Sequence, residues 1–178
     1  MLICQKLIII FFVLIKILIK IMNNIKYVIG DATYPVGEGE KYIIHVCNDI
    51  GAFGKGFVLA ISKRWKEPEK LYREQKNYIL GKIQMTRVEK DICVVNMIAQ
   101  HDVKPTFVPS GKGFTTVPPI RYDALRECLK TVNDIAVKTG ATIHAPKFGA
   151  GLAGGKWSEI EKIIKEVVTV DVTIYTLK

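Results

Sequence analysis

Short β-like runs alternating with amphipathic helical stretches predict an α/β domain whose sheet is covered on both faces. Two further observations support this class. Two glycine-rich segments each run from a strand toward a helix, and no internal repeat interrupts the order.

The first run, Ile25 to Ile29, is closed by Gly30-Asp31. The second, Tyr42 to Val46, ends at Cys47-Asn48-Asp49. Gly51 to Gly56 then leads into FVLAISKRW, whose apolar positions follow a helical period. A second short helix is expected over Pro68 to Gln75, with proline in its permitted first turn. Gly81 to Val88 and Ile92 to Ala99 read as strands joined by the polar turn Glu89-Lys90-Asp91. His101 to Ile120 holds four prolines and is expected to be a long loop, of a kind that in compact domains is usually functional or mobile. Arg121 to Thr139 places Tyr122, Leu125, Leu129, Val132 and Ala136 on one helical face and stops at Gly140. Ala141 to Ala145 is a strand, followed by the second glycine-rich loop, Phe148 to Gly155. Ser158-x-x-Glu161 reads as a capping box opening a helix to Val167. Val172 to Leu177 is the last strand.

Composition bounds the function. The chain has 178 residues, enough for one ordinary domain, and 49% apolar against 24% charged residues is the balance of a packed protein. Its net charge of +9 suits an anionic ligand. The basic residues are dispersed rather than blocked, which argues against a dedicated nucleic-acid binder. Cys4, Cys47, Cys93 and Cys128 form no CxxC pair, so neither a zinc site nor a disulfide framework is signalled, consistent with a reducing, cytoplasmic setting. His45, His101 and His144 show no metal-ligand spacing, and neither a metal nor a cofactor is expected.

Residues 1–22 stand apart from the domain expected over 23–178. The uninterrupted apolar run is Leu7 to Ile15, shorter than the ~20 residues of a spanning helix, and Lys16 and Lys20 interrupt the stretch beyond it. No Ala-x-Ala-like cleavage site comes after it. A weak membrane anchor, or a translation start at Met22 with the segment an artefact, are both preferred over secretion.

Four features suggest chemistry. Asp31, just past a strand, suits an exocyclic amine, with the amide of Ala32 beside it for a ring nitrogen; taken alone a plain turn is the commoner meaning. In His45-Val46-Cys47-Asn48-Asp49 a buried-looking strand ends where α/β sheets carry their ligand crevice, so Asn48 is placed for a sugar hydroxyl. His45 by itself reads as a core histidine. The loops 51–56 and 149–155 offer backbone amides to a pyrophosphate, with Lys55 adding charge. Neither fits the P-loop, and G-x-G-x-x-G is missing after the first strand, which disfavours ATP hydrolysis and dinucleotide redox chemistry. Phe53, Phe148 and Trp157 flank these loops, where a ring stacks on a base or packs the loop onto its helix.

The order of these motifs resembles the macrodomain family over Ile25 to Leu177. It runs from Gly30-Asp31-x-Thr33, through a strand ending in Asn48 and the loop Gly51 to Gly56, to Pro146-Lys147-Phe148-Gly149-Ala150-Gly151-Leu152. Within the family it is most similar to the single-domain branch containing terminal ADP-ribose protein glycohydrolase and the yeast-type ADP-ribose 1″-phosphate phosphatase. The resemblance implies a three-layer α/β/α sandwich with a mixed central sheet. It implies that Asp31 and Ala32 bind adenine and that Asn48 meets the distal ribose. Gly54, Lys55 and Gly56 would line the distal ribose and phosphates, and Gly149, Ala150, Gly151 and Leu152 would wrap the pyrophosphate. The ligand would be ADP-ribose or a derivative, including one carried on a protein or nucleic acid, and the chain a monomer. The glycohydrolase branch uses a lysine after the fourth strand and an aspartate after Gly-Leu, where this chain has Gln100-His101 and Ala153. The phosphatase-like alternative makes His45 the acid/base, with Asn48 and Asp49 orienting water and His101 a second candidate acid. A non-catalytic ADP-ribose reader is the other outcome, and a basic RNA-binding or membrane-associated protein a third.

Overall fold

The computed structural model describes residues 24–111 and 113–177. The apolar segment 1–22, and its reading as an anchor or a mis-assigned start, lie outside the described residues. No helix among the described residues is long and apolar enough to cross a membrane.

Eight strands and four helices are described. In chain order they are β1 (Ile25–Ile29), β2 (Lys41–Asn48), α1 (Phe57–Arg64), α2 (Glu67–Glu74), β3 (Ile83–Glu89), β4 (Ile92–Gln100), β5 (Thr106–Ser110), β6 (Gly113–Val117), α3 (Tyr122–Thr139), β7 (Thr142–Pro146), α4 (Trp157–Val167) and β8 (Val172–Thr176). The main sheet has the order β1-β8-β7-β2-β4-β3. Every neighbouring pair is parallel except β3 with β4, so the sheet is mixed with one antiparallel edge.

Alternation along the central strands sorts the core into two layers. Ile44, Val95 and Met97 face α3 and α4, meeting Leu125, Leu129, Ile160 and Ile164. Ile43 and Val94 face the other way, onto Ile61 and Trp65 of the α1 region, while Cys47 and Ile98 meet Phe53, Val58 and Tyr72. The central strands are near-continuous apolar runs because they are buried on both sides. The result is the three-layer α/β/α sandwich with a mixed sheet that the resemblance implied.

Connectivity positions the site. The chain leaving β2 passes to α1 and α2 on one face, whereas the chain leaving the adjacent β7 passes to α4 on the other. Two neighbouring parallel strands whose exits diverge open a crevice at their carboxyl ends. β2 and β7 pair in register only over Lys41–Ile43 with Thr142–His144, so they part toward that end.

Two local expectations are corrected. His101 to Ile120 is not one irregular loop: β5 and β6 form an antiparallel hairpin, with Phe107 opposite Thr116 and Pro109 opposite Phe114. Proline sits comfortably in an isolated two-stranded ribbon because both strands are edges. Ser158 is not a cap, because α4 starts one residue earlier with Lys156 as N-cap and no side-chain capping bond. The Lys156 amide instead donates to the Tyr122 hydroxyl at 2.9 Å, and Glu161 pairs with Lys165 at 2.7 Å.

Candidate functional site

Three adjoining hollows run along the carboxyl ends of the parallel strands. The first, about 300 Å³, is lined by Asp31, Ala32, Phe57, Ala60, Tyr175 and Leu177. The middle one, about 240 Å³, lies between Lys55-Gly56-Phe57 and Pro146 to Gly149, with Gly151 and Leu152 over it. The third, about 410 Å³, is lined by Asn48, Gly54, Lys55, Gln100, Lys104 and Leu152. Gly56 and Pro146 belong to the first two, Lys55, Gln100 and Leu152 to the last two, so the three form one crevice. A larger hollow of about 870 Å³ lies elsewhere, between Leu80-Gly81 and the start of α3, away from the glycine loops.

At one end Asp31 is exposed and its carboxylate is half committed. Oδ1 accepts from the Thr33 amide at 2.8 Å and the Thr33 hydroxyl at 2.9 Å, leaving Oδ2 without a protein partner among the described residues. Thus the plain-turn meaning of Gly30-Asp31-Ala32-Thr33 uses one oxygen of the side chain, and the ligand meaning would call on the other.

The middle is a backbone surface. Gly56 caps α1 at φ +80° and ψ −147°, a conformation open to glycine alone, which lets the chain turn from loop to helix. No side chain caps this helix, so the amides of Phe57 and Val58 have no protein acceptor among the described residues, and they stand at the positive end of the helix, which suits an anion. Across the crevice, the amides of Gly149 to Ala153 likewise have no protein acceptor among the described residues. The loop's curvature is held by its own bonds, Gly155 N–H to the Gly149 carbonyl at 2.8 Å and Gly154 N–H to the Gly151 carbonyl at 2.9 Å. Gly149, at φ +72°, has no room for a side chain, since a Cβ there would stand 3.0 Å from Ile160 and 3.1 Å from Ile120. Of the residues expected to contact ligand, only Ala150 does not line the three hollows.

Asn48 is buried and spent largely on its own loop. Its Oδ1 accepts from the Ala52 amide at 2.9 Å and the Ile50 amide at 3.2 Å, and its Nδ2 donates to the Ala52 carbonyl at 2.6 Å. Tyr72 donates to the Asn48 carbonyl, and Arg73 donates to the Gly51 and Phe53 carbonyls at 3.4 and 3.3 Å. Asn48 therefore shapes the first glycine loop, with one amide hydrogen left for a ligand.

The expectation of His45 as acid/base is corrected. Its ring is 2% exposed, sits edge-on to Phe53 and Phe57, and has Nε2 2.6 Å from Asn96 Oδ1. Although it borders the middle hollow, burial pushes its pKa down to about 4, so at pH 7 it is neutral, with no imidazolium proton to donate and little basicity. Phe148 is also redirected: 4% exposed and edge-on to Trp157, it packs the second loop onto α4 rather than presenting a face for stacking.

A carboxylate–imidazole pair, Asp49 and His101, lies next in sequence to Asn48 and Gln100 of the third hollow without lining any of the three. Asp49, directly after Asn48, has Oδ2 2.7 Å from His101 Nδ1 and accepts the Asp102 amide on Oδ1 at 2.8 Å. Burial alone would raise the Asp49 carboxyl, but those hydrogen bonds and the neighbouring imidazole hold it below its usual value. His101 is 46% exposed. Nδ1 is the ring nitrogen turned to the carboxylate, and Nε2 has no protein partner among the described residues. Gln100, Lys104, Tyr175 and Leu177 were not singled out by sequence reasoning. Only Gln100, at a strand end in the position equivalent to Asn48, carried a signal that would have found it.

No family model matches the chain. A Bacteroides thetaiotaomicron protein of unknown function is 49% identical, with 85% of this chain and 96% of that chain covered and a TM-score of 0.76. A macrodomain protein from Streptomyces coelicolor is 41% identical, covering 85% of this chain and 98% of that one, TM-score 0.70. The mouse chromodomain-helicase-DNA-binding protein 1-like is 30% identical over 157 residues; these are 81% of this chain and span only 16% of the relative's length. More distant are an ADP-ribose 1″-phosphate phosphatase from Lodderomyces elongisporus, 19% identical over 86% of this chain and 99% of its own, and a Trypanosoma brucei macrodomain in complex with ADP-ribose, 16% identical over 88% and 65%, TM-score 0.58.

Proposed function

We propose that this chain, which belongs to the macrodomain family, binds ADP-ribose in the strand-end crevice and hydrolyses a substituent on its distal ribose. One observation carries the binding half. Two facing sets of unpaired backbone amides, at Gly56 to Val58 and Gly149 to Ala153, flank a single crevice with a half-free carboxylate, Asp31, at one end. The amides suit a pyrophosphate, Lys55 adds a cation, and Asp31 Oδ2 suits the exocyclic amine of adenine. The ribose distal to the pyrophosphate then falls in the hollow of Asn48, Gln100 and Lys104. The ADP-ribose complex of the trypanosome macrodomain and the phosphatase activity of the Lodderomyces relative support the same reading.

For the hydrolytic half, His101 Nε2 takes a proton from water while Asp49 holds the imidazole and stabilises its charge. The resulting hydroxide attacks the phosphorus of a phosphate substituent, or C1″ of a conjugated ribose; the bond from that atom to the departing oxygen breaks, and the imidazolium returns the proton to that oxygen. Gln100 and His101 stand at the end of β4 where the lysine would be needed, and buried Ala153 stands in place of the aspartate, so no covalent lysine intermediate is invoked.

A second reading, a reader without turnover, is favoured by the lining of the distal hollow, which holds no carboxylate. Calorimetry with ADP-ribose on the wild-type chain and on Asp31→Ala tests binding. Micromolar affinity lost in the variant supports the proposal, and no binding by a folded wild type refutes it. Release of phosphate from ADP-ribose 1″-phosphate, or of ADP-ribose from an ADP-ribosylated protein or oligonucleotide, separates enzyme from reader. Turnover abolished by Asp49→Asn and His101→Ala with binding retained identifies the enzyme.

A further inference from the structure

We infer that Arg64 is a positioning residue for the recognition of adenine, clamping the Asp31 loop from outside the crevice. The inference rests on the reading of the Asp31 end as the adenine end. Arg64 closes α1 and is partly buried. Its guanidinium joins three separate parts of the fold. Nη1 donates to the Thr33 carbonyl, in the loop after β1. Nη2 donates to Glu89 Oε1 at 2.7 Å, at the end of edge strand β3. Its guanidinium carbon lies over the rings of Tyr34 and Trp65, 3.9 and 4.4 Å from their centroids.

The anchor is itself anchored. The Trp65 indole N–H donates to the same Glu89 oxygen at 3.1 Å, so Glu89, Arg64 and Trp65 form one unit. On the loop side, Thr33 is buried, and it is the residue onto which Asp31 folds: its amide and hydroxyl both donate to Asp31 Oδ1. The direction of Asp31 Oδ2 therefore follows the position of Thr33, and the position of Thr33 is tied to Arg64. Arg64 lines none of the three crevice hollows and its guanidinium is committed to Thr33 and Glu89, so it acts through Asp31 and not on ligand. The guanidinium reaches Thr33 and Glu89 from two separate nitrogens of one planar fork, a span that the single nitrogen of a lysine ammonium does not reproduce.

The test compares two ligands on two proteins. ADP-ribose carries the amine that Asp31 reads; inosine diphosphate ribose has a carbonyl there and is otherwise the same shape. Wild type is expected to prefer ADP-ribose, and Arg64→Lys to lose about tenfold in affinity for ADP-ribose, the worth of one well-placed charged hydrogen bond. Affinity for the inosine ligand is expected to stay within about twofold, so that the preference collapses. Glu89→Gln, which keeps the shape but removes the anchoring charge, is expected to fall between, and serves if Arg64→Lys does not fold. Equal losses for both ligands would make Arg64 a general structural residue and overturn the inference. So would an undiminished preference in both variants. A wild type that binds ADP-ribose without preferring it refutes adenine recognition by Asp31, and one that binds neither ligand refutes the proposed function, which is a distinguishable result.

Discussion

Lowering the pH from 7 to 5 is expected to remove about 4 kcal/mol of folding stability, through two histidines held neutral in the core. His45 and His144 are each 2% exposed, and burial pushes both pKa values down to about 4. For His144 the nearby Lys41 charge adds to the effect. In the unfolded chain each imidazole titrates near its ordinary value of about 6.5. A folded pKa below the unfolded one means that the unfolded state binds more protons between the two values, so stability rises with pH across that window and is lost on acidification. At pH 5 the unfolded imidazole is almost wholly charged and the folded one almost wholly neutral, a difference of about 2 kcal/mol per histidine. Since a domain of this size is stable by only about 5–15 kcal/mol, such a loss would show directly in its unfolding. Urea titrations at pH 7, 6 and 5 measure it, and His45→Gln should roughly halve the slope. Stability that stays flat from pH 7 to 5, or a His45 ring resonance that titrates near 6.5, would refute the reasoning.

Other expectations rest on single contacts. Gly149→Ala places a Cβ against Ile160 and Ile120 at φ +72°, and should destabilise the fold by about 1–3 kcal/mol and weaken ADP-ribose binding; urea unfolding and calorimetry read the two effects. Leu129→Ala removes a fully buried side chain from between α3 and the sheet, and should cost about 2–5 kcal/mol by urea unfolding without changing ligand preference. Phe107 and Phe114, 72% and 74% exposed on one face of the β5–β6 hairpin, should be replaceable together by serine within about 0.5 kcal/mol per site, as judged by thermal unfolding. A larger loss would mean that the hairpin face is packed in solution.

Most of the fold was legible in the chain because burial on both sides writes itself into the strands. A central strand with no solvent face must be apolar at every position, and Tyr42 to Val46 and Ile92 to Ala99 are nearly so. The long helix was equally plain, since its apolar stripe and Gly140 mark both face and end. The hairpin escaped because a two-stranded ribbon with both edges open tolerates proline and glycine and buries little, so it carries no hydrophobic period.

The candidate site divides the same way. Its backbone portion, anchored by Gly56 and Gly149, was visible because a positive φ demands glycine, and that demand is local. Which side chains stand free was decided only by tertiary packing. His45 and His101 are the same residue type near strand ends, yet Phe53, Phe57 and Asn96 enclose the first, while the second lies past the last rung of the sheet beside Asp49. Asn48 looked free until the turn of its own loop brought the amides of Ile50 and Ala52 to it. Arg64, 25 residues from its partner Glu89, had no local signal at all. Backbone conformation is set by neighbours in sequence, and so it can be read there; solvation and partnership are set by neighbours in space, which only the folded chain supplies.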